Sequence, residues 1–117
     1  MQEFGDNITV DQKDAISIIG VSNNLGYETA DDLRGAYNQI EEGKKIVVDL
    51  GQVRITTSRG MATLLSVIIE GEEKDQEFCL CNVSEPCMVI IDAMNILEYV
   101  EGLEVLDNLE EGIKHFS

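Results

Sequence analysis

The sequence predicts a single α/β domain, residues 1–117, with a mostly parallel central sheet and the element order β-β-α-β-α-β-α-β-α. Three observations lead there. Short apolar runs alternate along the chain with segments whose apolar residues recur at helical spacing, the pattern of strands joined by right-handed crossovers. The run Lys44 to Leu50 has a continuous apolar centre, as expected of a strand covered on both faces. Neither a repeat nor a low-complexity tract interrupts the pattern, and the only proline is Pro86.

Taken in order, Ala15 to Val21 reads as a strand, paired with a weaker one around Ile8 to Val10 across the polar turn Asp11-Gln12-Lys13-Asp14. A polar, glycine-containing loop follows from Ser22 to Glu28. Thr29 is the expected N-cap of a first helix, with Asp32 three residues on. Leu33, Ala36, Tyr37 and Ile40 form its apolar stripe and Gly43 its stop. After the strand Lys44 to Leu50, a second helix begins near Ser58. Its stripe is Met61, Leu64, Leu65, Ile68 and Ile69, and the polar Glu70 to Glu73 ends it. Phe78 to Val83 is the next strand. Ser84 as N-cap and Pro86 in the first turn open a third helix continuing through Met88 to Met94. Leu103 to Leu106 is the last strand, and Leu109, Ile113 and Phe116 mark a closing helix.

Composition narrows the function classes. With 44% hydrophobic residues the chain can bury a core without disulfides or metal. No apolar run approaches the ~18 residues of a membrane-spanning helix. The segment Met1 to Asp14 is polar and acidic where a signal peptide would be basic and then apolar, so a cytoplasmic location is expected, without membrane insertion. Against 8 basic residues stand 23 acidic ones, a net charge of -15 that repels nucleic acid and anionic lipid heads. Cys79, Cys81 and Cys87 are odd in number and lack the C-x-x-C spacing of a zinc or redox site, so they read as reduced core residues.

Catalytic signatures are missing from the sequence. Neither G-x-G-x-x-G nor G-x-x-x-x-G-K-[ST] is present, and no cofactor or metal is expected. The single histidine, His115, belongs to the last turn of a terminal helix, where it complements the helix dipole. The acidic runs Glu70 to Asp75 and Glu101 to Glu111 have the spacing of helix ends and exposed faces. The segment Gly51 to Met61 differs, because it sets Thr56, Thr57, Ser58 and Gly60 at a strand-to-helix junction. Free backbone N–H groups and the helix dipole favour negative charge there, so a hydroxyl at this place suits phosphorylation. The plainer alternative is that Ser58 or Thr57 caps the helix.

Val48-Asp49-Leu50-Gly51-Gln52-Val53, followed by Thr57-Ser58-Arg59-Gly60-Met61 and an apolar helix, resembles the STAS domain, whose best-known members are bacterial anti-sigma factor antagonists. The family's D-L-S-x-V and D-S-S-G-L fall on Asp49 to Val53 and Thr57 to Met61 without a gap. Asn82-Val83-Ser84 and Leu106 to Ile113 extend the resemblance over nearly the whole chain. It implies a non-enzymatic, bacterial partner-switching protein. Such a protein binds an anti-sigma factor of the serine kinase type, frees a sigma factor, and is released from its partner by phosphorylation.

Two departures stand beside the match. The serine that the family phosphorylates, immediately before the glycine, is Arg59 here, which leaves Ser58 and Thr57 as phosphoacceptor candidates. Asn23 and Asn24 stand near the place where the family often has an aspartate. The resemblance implies a partner-binding surface from Asp49, Thr57, Ser58, Arg59 and Gly60, the exposed helix positions Ala62, Thr63, Ser66 and Val67, and the asparagines. The partner would be an anti-sigma factor or another regulatory protein, and homodimerisation through an exposed Val67 is compatible with the pattern. The other reading is a STAS module without a phosphoswitch, a scaffold or the soluble subunit of a membrane transport system.

Overall fold

A computed structural model describes residues 1–41 and 44–117. Its sheet has six strands in the spatial order of the chain: β1 (Gln2–Phe4), β2 (Ile8–Lys13), β3 (Ile16–Leu25), β4 (Lys45–Thr56), β5 (Glu77–Cys81) and β6 (Glu104–Leu106). The first three strands form an antiparallel meander, and β3 through β6 are mutually parallel. The helices are α1 (Tyr27–Asn38), α2 (Ser58–Glu72), α3 (Glu85–Ala93), α4 (Ile96–Tyr99) and α5 (Leu109–His115).

Strand alternation divides the core in two. Ile46, Val48 and Leu50 of β4 and Phe78 and Leu80 of β5 join the larger cluster, with Leu33, Ala36 and Tyr37 of α1 and Met61, Leu64 and Ile68 of α2. Val47, Cys79 and Cys81 point to the other face, where Leu109, Ile113 and Phe116 cover them. This double coverage is the reason for the continuous apolar centre of β4. Gly112 makes the second layer thin, since a Cβ there would lie 3.0 Å from Val47 Cγ1.

The expected α/β class and mostly parallel sheet are present, with several local corrections. Two elements are additional, β1 and α4. The expected hairpin, formed by β2 and β3, turns at Asp14 and Ala15, Asp14 being left-handed (φ 57°), so that Lys13 still pairs with Ile16. The expected loop from Ser22 is strand as far as Leu25, carried past two register shifts on β4. Gly26, not Thr29, is the N-cap of α1. Thr29 stands three residues later and its hydroxyl accepts from the Gly26 N–H at 2.8 Å. The expected stop Gly43 lies outside the described residues, and α1 ends earlier, at Asn38. β4 continues six residues beyond Leu50, to Thr56, and delivers the chain directly to α2. β5 stops at Cys81, because Asn82 is left-handed (φ 53°).

Candidate functional site

The β4-to-α2 junction is fixed by its neighbour β3. The Leu25 carbonyl accepts from the Thr57 N–H at 3.1 Å and from the Thr56 hydroxyl at 3.0 Å. Gly60 lies against the same carbonyl, where an added Cβ would come within 2.1 Å of the oxygen. The start of α2 is therefore held by backbone contact that only glycine permits.

The hydroxyls at this junction have different duties. Thr57 is extended (φ -124°, ψ 161°) and caps α2, its Oγ1 accepting from the Gly60 N–H at 3.1 Å. Ser58 is the first residue of α2. It is exposed, and among the described residues its hydroxyl has no hydrogen-bond partner. A negative charge on Ser58 would sit where the N–H groups of the first turn and the helix dipole favour it. The next side chain, Arg59, stacks over the exposed ring of Tyr27, 4.5 Å from its centroid. Below this pair, Tyr27, Asp31, Arg34, Arg59 and Thr63 line an open cavity of about 240 Å³ between α1 and α2. Arg34 closes it, paired with Glu70 and donating to Ser66 Oγ at 3.0 Å. The Arg34 hydrogen bond, helped by Lys74, holds the Glu70 carboxyl below the usual carboxylate range.

The other expected site residues separate into those that adjoin this surface and those that do not. Thr63 lines the cavity beside α1 and Ser66 accepts from Arg34, while Ala62 is exposed and shares a second depression with Ser66. Asn24 approaches the junction: a Cβ on Gly26 would meet Asn24 Oδ1 at 2.7 Å and Thr57 Cγ2 at 3.6 Å. Asn23 is left-handed (φ 58°) and reaches instead for Asn7 Oδ1 at 3.4 Å. Asp49 has a structural duty, accepting from the Gly51 N–H at 2.9 Å and the Asn82 side chain at 3.4 Å.

Val67 and Gly60 must be withdrawn from the docking surface. Val67 is fully buried, because the sheet, α1 and α3 cover α2 over a wider arc than one apolar stripe. It cannot mediate a dimer. Gly60 is buried against Leu25, as described above. Conversely, Ile69 of the expected stripe is 37% exposed. Tyr27 and Arg34 were missing from the sequence-derived set. Their only sequence signal was an aromatic and a cation on an otherwise acidic helix.

Nucleophilic chemistry finds little support in the thiols. Burial raises Cys79 to about 11 and, with Asp49 nearby, Cys81 to about 12. Such thiols stay protonated near neutrality. Among the described residues no three His, Cys, Asp or Glu side chains gather as metal ligands, and no helix is long and apolar enough to cross a membrane.

A family model for the STAS domain matches residues 7–112. Among solved structures, an anti-sigma-factor antagonist (STAS) domain protein from Planctomyces limnophilus superposes with a TM-score of 0.79 at 18% identity, over 96% of this chain and all of that one. An anti-sigma factor antagonist from Mycobacterium paratuberculosis gives 0.78 at 18% identity, over 92% of this chain and 91% of that one. A sulfate transporter family protein from Wolinella succinogenes gives 0.77 at 18% identity, over 88% and 85%. Identities this low establish likeness of fold. No curated protein matches in sequence.

Proposed function

We propose that this chain, which belongs to the STAS domain family, is a non-enzymatic regulator of the anti-sigma factor antagonist type that binds a partner protein at the start of α2 and is switched by phosphorylation of Ser58. The observation that carries the reading is the division of labour between adjacent hydroxyls. Thr57 is committed to the cap, whereas Ser58 is exposed and its hydroxyl is free of hydrogen bonds among the described residues. A kinase can reach the second without unmaking the helix.

The physics of the switch follows from position. A phosphate adds about -1.5 to -2 charges and three acceptor oxygens. On Ser58 it would be stabilised in the free protein by the first turn of α2 and by the neighbouring Arg59. Across an interface it would have to be desolvated against the partner, which weakens binding. Anti-sigma factor antagonists among the structural neighbours support a regulatory protein of the anti-sigma class as partner. The net charge of -15 favours a partner with a basic docking face.

Arg59 supports a second reading. It occupies the place of the family's usual phosphoserine and is already engaged with Tyr27, an arrangement suited to a constitutive binding module. A sulfate transporter family protein among the neighbours is consistent with that branch. Phosphosite mapping by mass spectrometry on protein recovered from its own host separates the two. Phosphate on Ser58 in part of the pool supports the switch. A pool unmodified at Ser58 and Thr57 throughout growth supports the constitutive module.

A further inference from the structure

On the exposed side of α2, between the Ser66 and Glu70 contacts to Arg34 and the helix α4, lies a groove with an apolar lining and acidic rims. Leu65, Ile69 and Tyr99 are its apolar lining, Tyr99 being 74% exposed. A cavity of about 380 Å³ and a second of about 430 Å³ lie side by side here, both lined by Ile69 and Tyr99. Glu72, Glu73, Glu98 and Glu101 stand along it, exposed. Among the described residues none of these four has an ion-pair partner, whereas Glu70, which also lines the groove, is already bound to Arg34 and Lys74.

We propose that this groove docks a basic amphipathic helix of a partner protein, its apolar face on Leu65, Ile69 and Tyr99 and its lysines or arginines against the four glutamates. From Ala62 to Glu73 the axis of α2 advances about 16 Å, the length of three helical turns. That length suits a helix presenting apolar anchors at i, i+3 or i+4, and i+7. Charge selects among occupants. A second copy placed symmetrically would bring the same carboxylates face to face, and an anionic lipid surface would be repelled in the same way. A neutral apolar helix would desolvate the carboxylates without a countercharge.

The inference rests on the exposed face of α2 being partner-binding, and it is tested on residues remote from Ser58, since Ile69 lies about 16 Å further along the helix. The probe is a synthetic helix of about 18 residues, long enough to be helical on binding, with leucines on one face and lysines elsewhere. A peptide of the same composition in scrambled order is the control. Each is titrated into the isotopically labelled full chain while amide shifts are followed by NMR. The expected shifts cluster on residues 65–73 and 96–101. Affinity falls about tenfold or more for the scrambled peptide, for Tyr99→Ala and for Glu98→Lys combined with Glu101→Lys. All three substituted side chains are exposed, so the fold is retained.

Ser58→Asp leaves peptide affinity within about twofold, because its charge is more than a Debye length away. Equal binding of the scrambled peptide, shifts spread over the whole acidic surface, or indifference to Tyr99→Ala would overturn the proposal. None of these results bears on phosphate at Ser58, so the groove and the switch stand or fall separately.

Discussion

The guanidinium of Arg59 lies over the ring of Tyr27, 4.5 Å from its centroid, and so joins the first turn of α2 to the first turn of α1. Both groups are exposed, and an exposed cation–π contact is worth about 0.5–1 kcal/mol. Arg59→Ser should therefore lower the unfolding free energy by no more than about 1 kcal/mol in urea denaturation. A cooperative fold with a small loss makes that variant usable for asking whether a hydroxyl at this position accepts phosphate.

The neighbouring hydroxyls should respond unequally to removal. Thr57→Ala deletes the α2 cap and should cost about 1 kcal/mol, recovered largely by Thr57→Asp. Ser58→Ala should stay within about 0.5 kcal/mol of the parent, as surface substitutions usually do. Chemical denaturation of the four proteins checks both. A larger loss at Ser58 than at Thr57 would reverse the assignment of cap and acceptor.

Gly60→Ala should be the most damaging small substitution near the site. Its Cβ would meet the Leu25 carbonyl oxygen at 2.1 Å and the Gly26 Cα at 2.8 Å, backbone atoms that cannot swing aside. A loss of about 1–3 kcal/mol is expected, the range of overpacked cores. Amide shifts at Leu25, Thr57 and Ser58 should move as the helix start is displaced.

The Glu70 carboxyl should titrate below the usual carboxylate range, and Arg34→Met should move it upward, because the Arg34 hydrogen bond is the largest cause of its depression. A carboxyl depressed by folding contributes stability above its unfolded pKa and loses it as pH falls through the folded value. The contribution is small at this exposed pair and weakens with salt. Side-chain NMR titration of the parent and Arg34→Met provides the comparison.

Cys79 and Cys81 should resist thiol reagents in the folded state at pH 8, since burial raises them to about 11 and about 12. Unfolding in urea should expose them to reaction. Rapid labelling of either in native buffer would contradict their placement beneath α5.

Legibility in the sequence followed the strength of local pattern. Helix α2 and the centre of β4 were readable because each has a long apolar period and α2 starts beside a capping hydroxyl. β1 was not, because Gln2, Glu3 and Phe4 become a strand only through pairing with β2. The polar Ser22, Asn23 and Asn24 likewise look like a loop, yet partners on β4 hold them in the sheet. The Thr57 and Ser58 junction was legible as a place, but which hydroxyl caps was decided by backbone geometry. Val67 was misassigned for a related reason. Coverage of α2 from several sides is a tertiary fact, and a charge introduced at Val67 would test the core and not docking.

The most direct test of the central claim is the affinity of a partner, captured by the full-length protein from its own host's lysate and then purified, for the parent and for Ser58→Asp side by side. The account predicts a regulatory protein whose binding weakens about tenfold or more with Ser58→Asp, a loss of about 1.4 kcal/mol. Unchanged affinity, with Ser58→Asp folded as stably as the parent, would contradict a switch at Ser58 and leave the chain a constitutive STAS module.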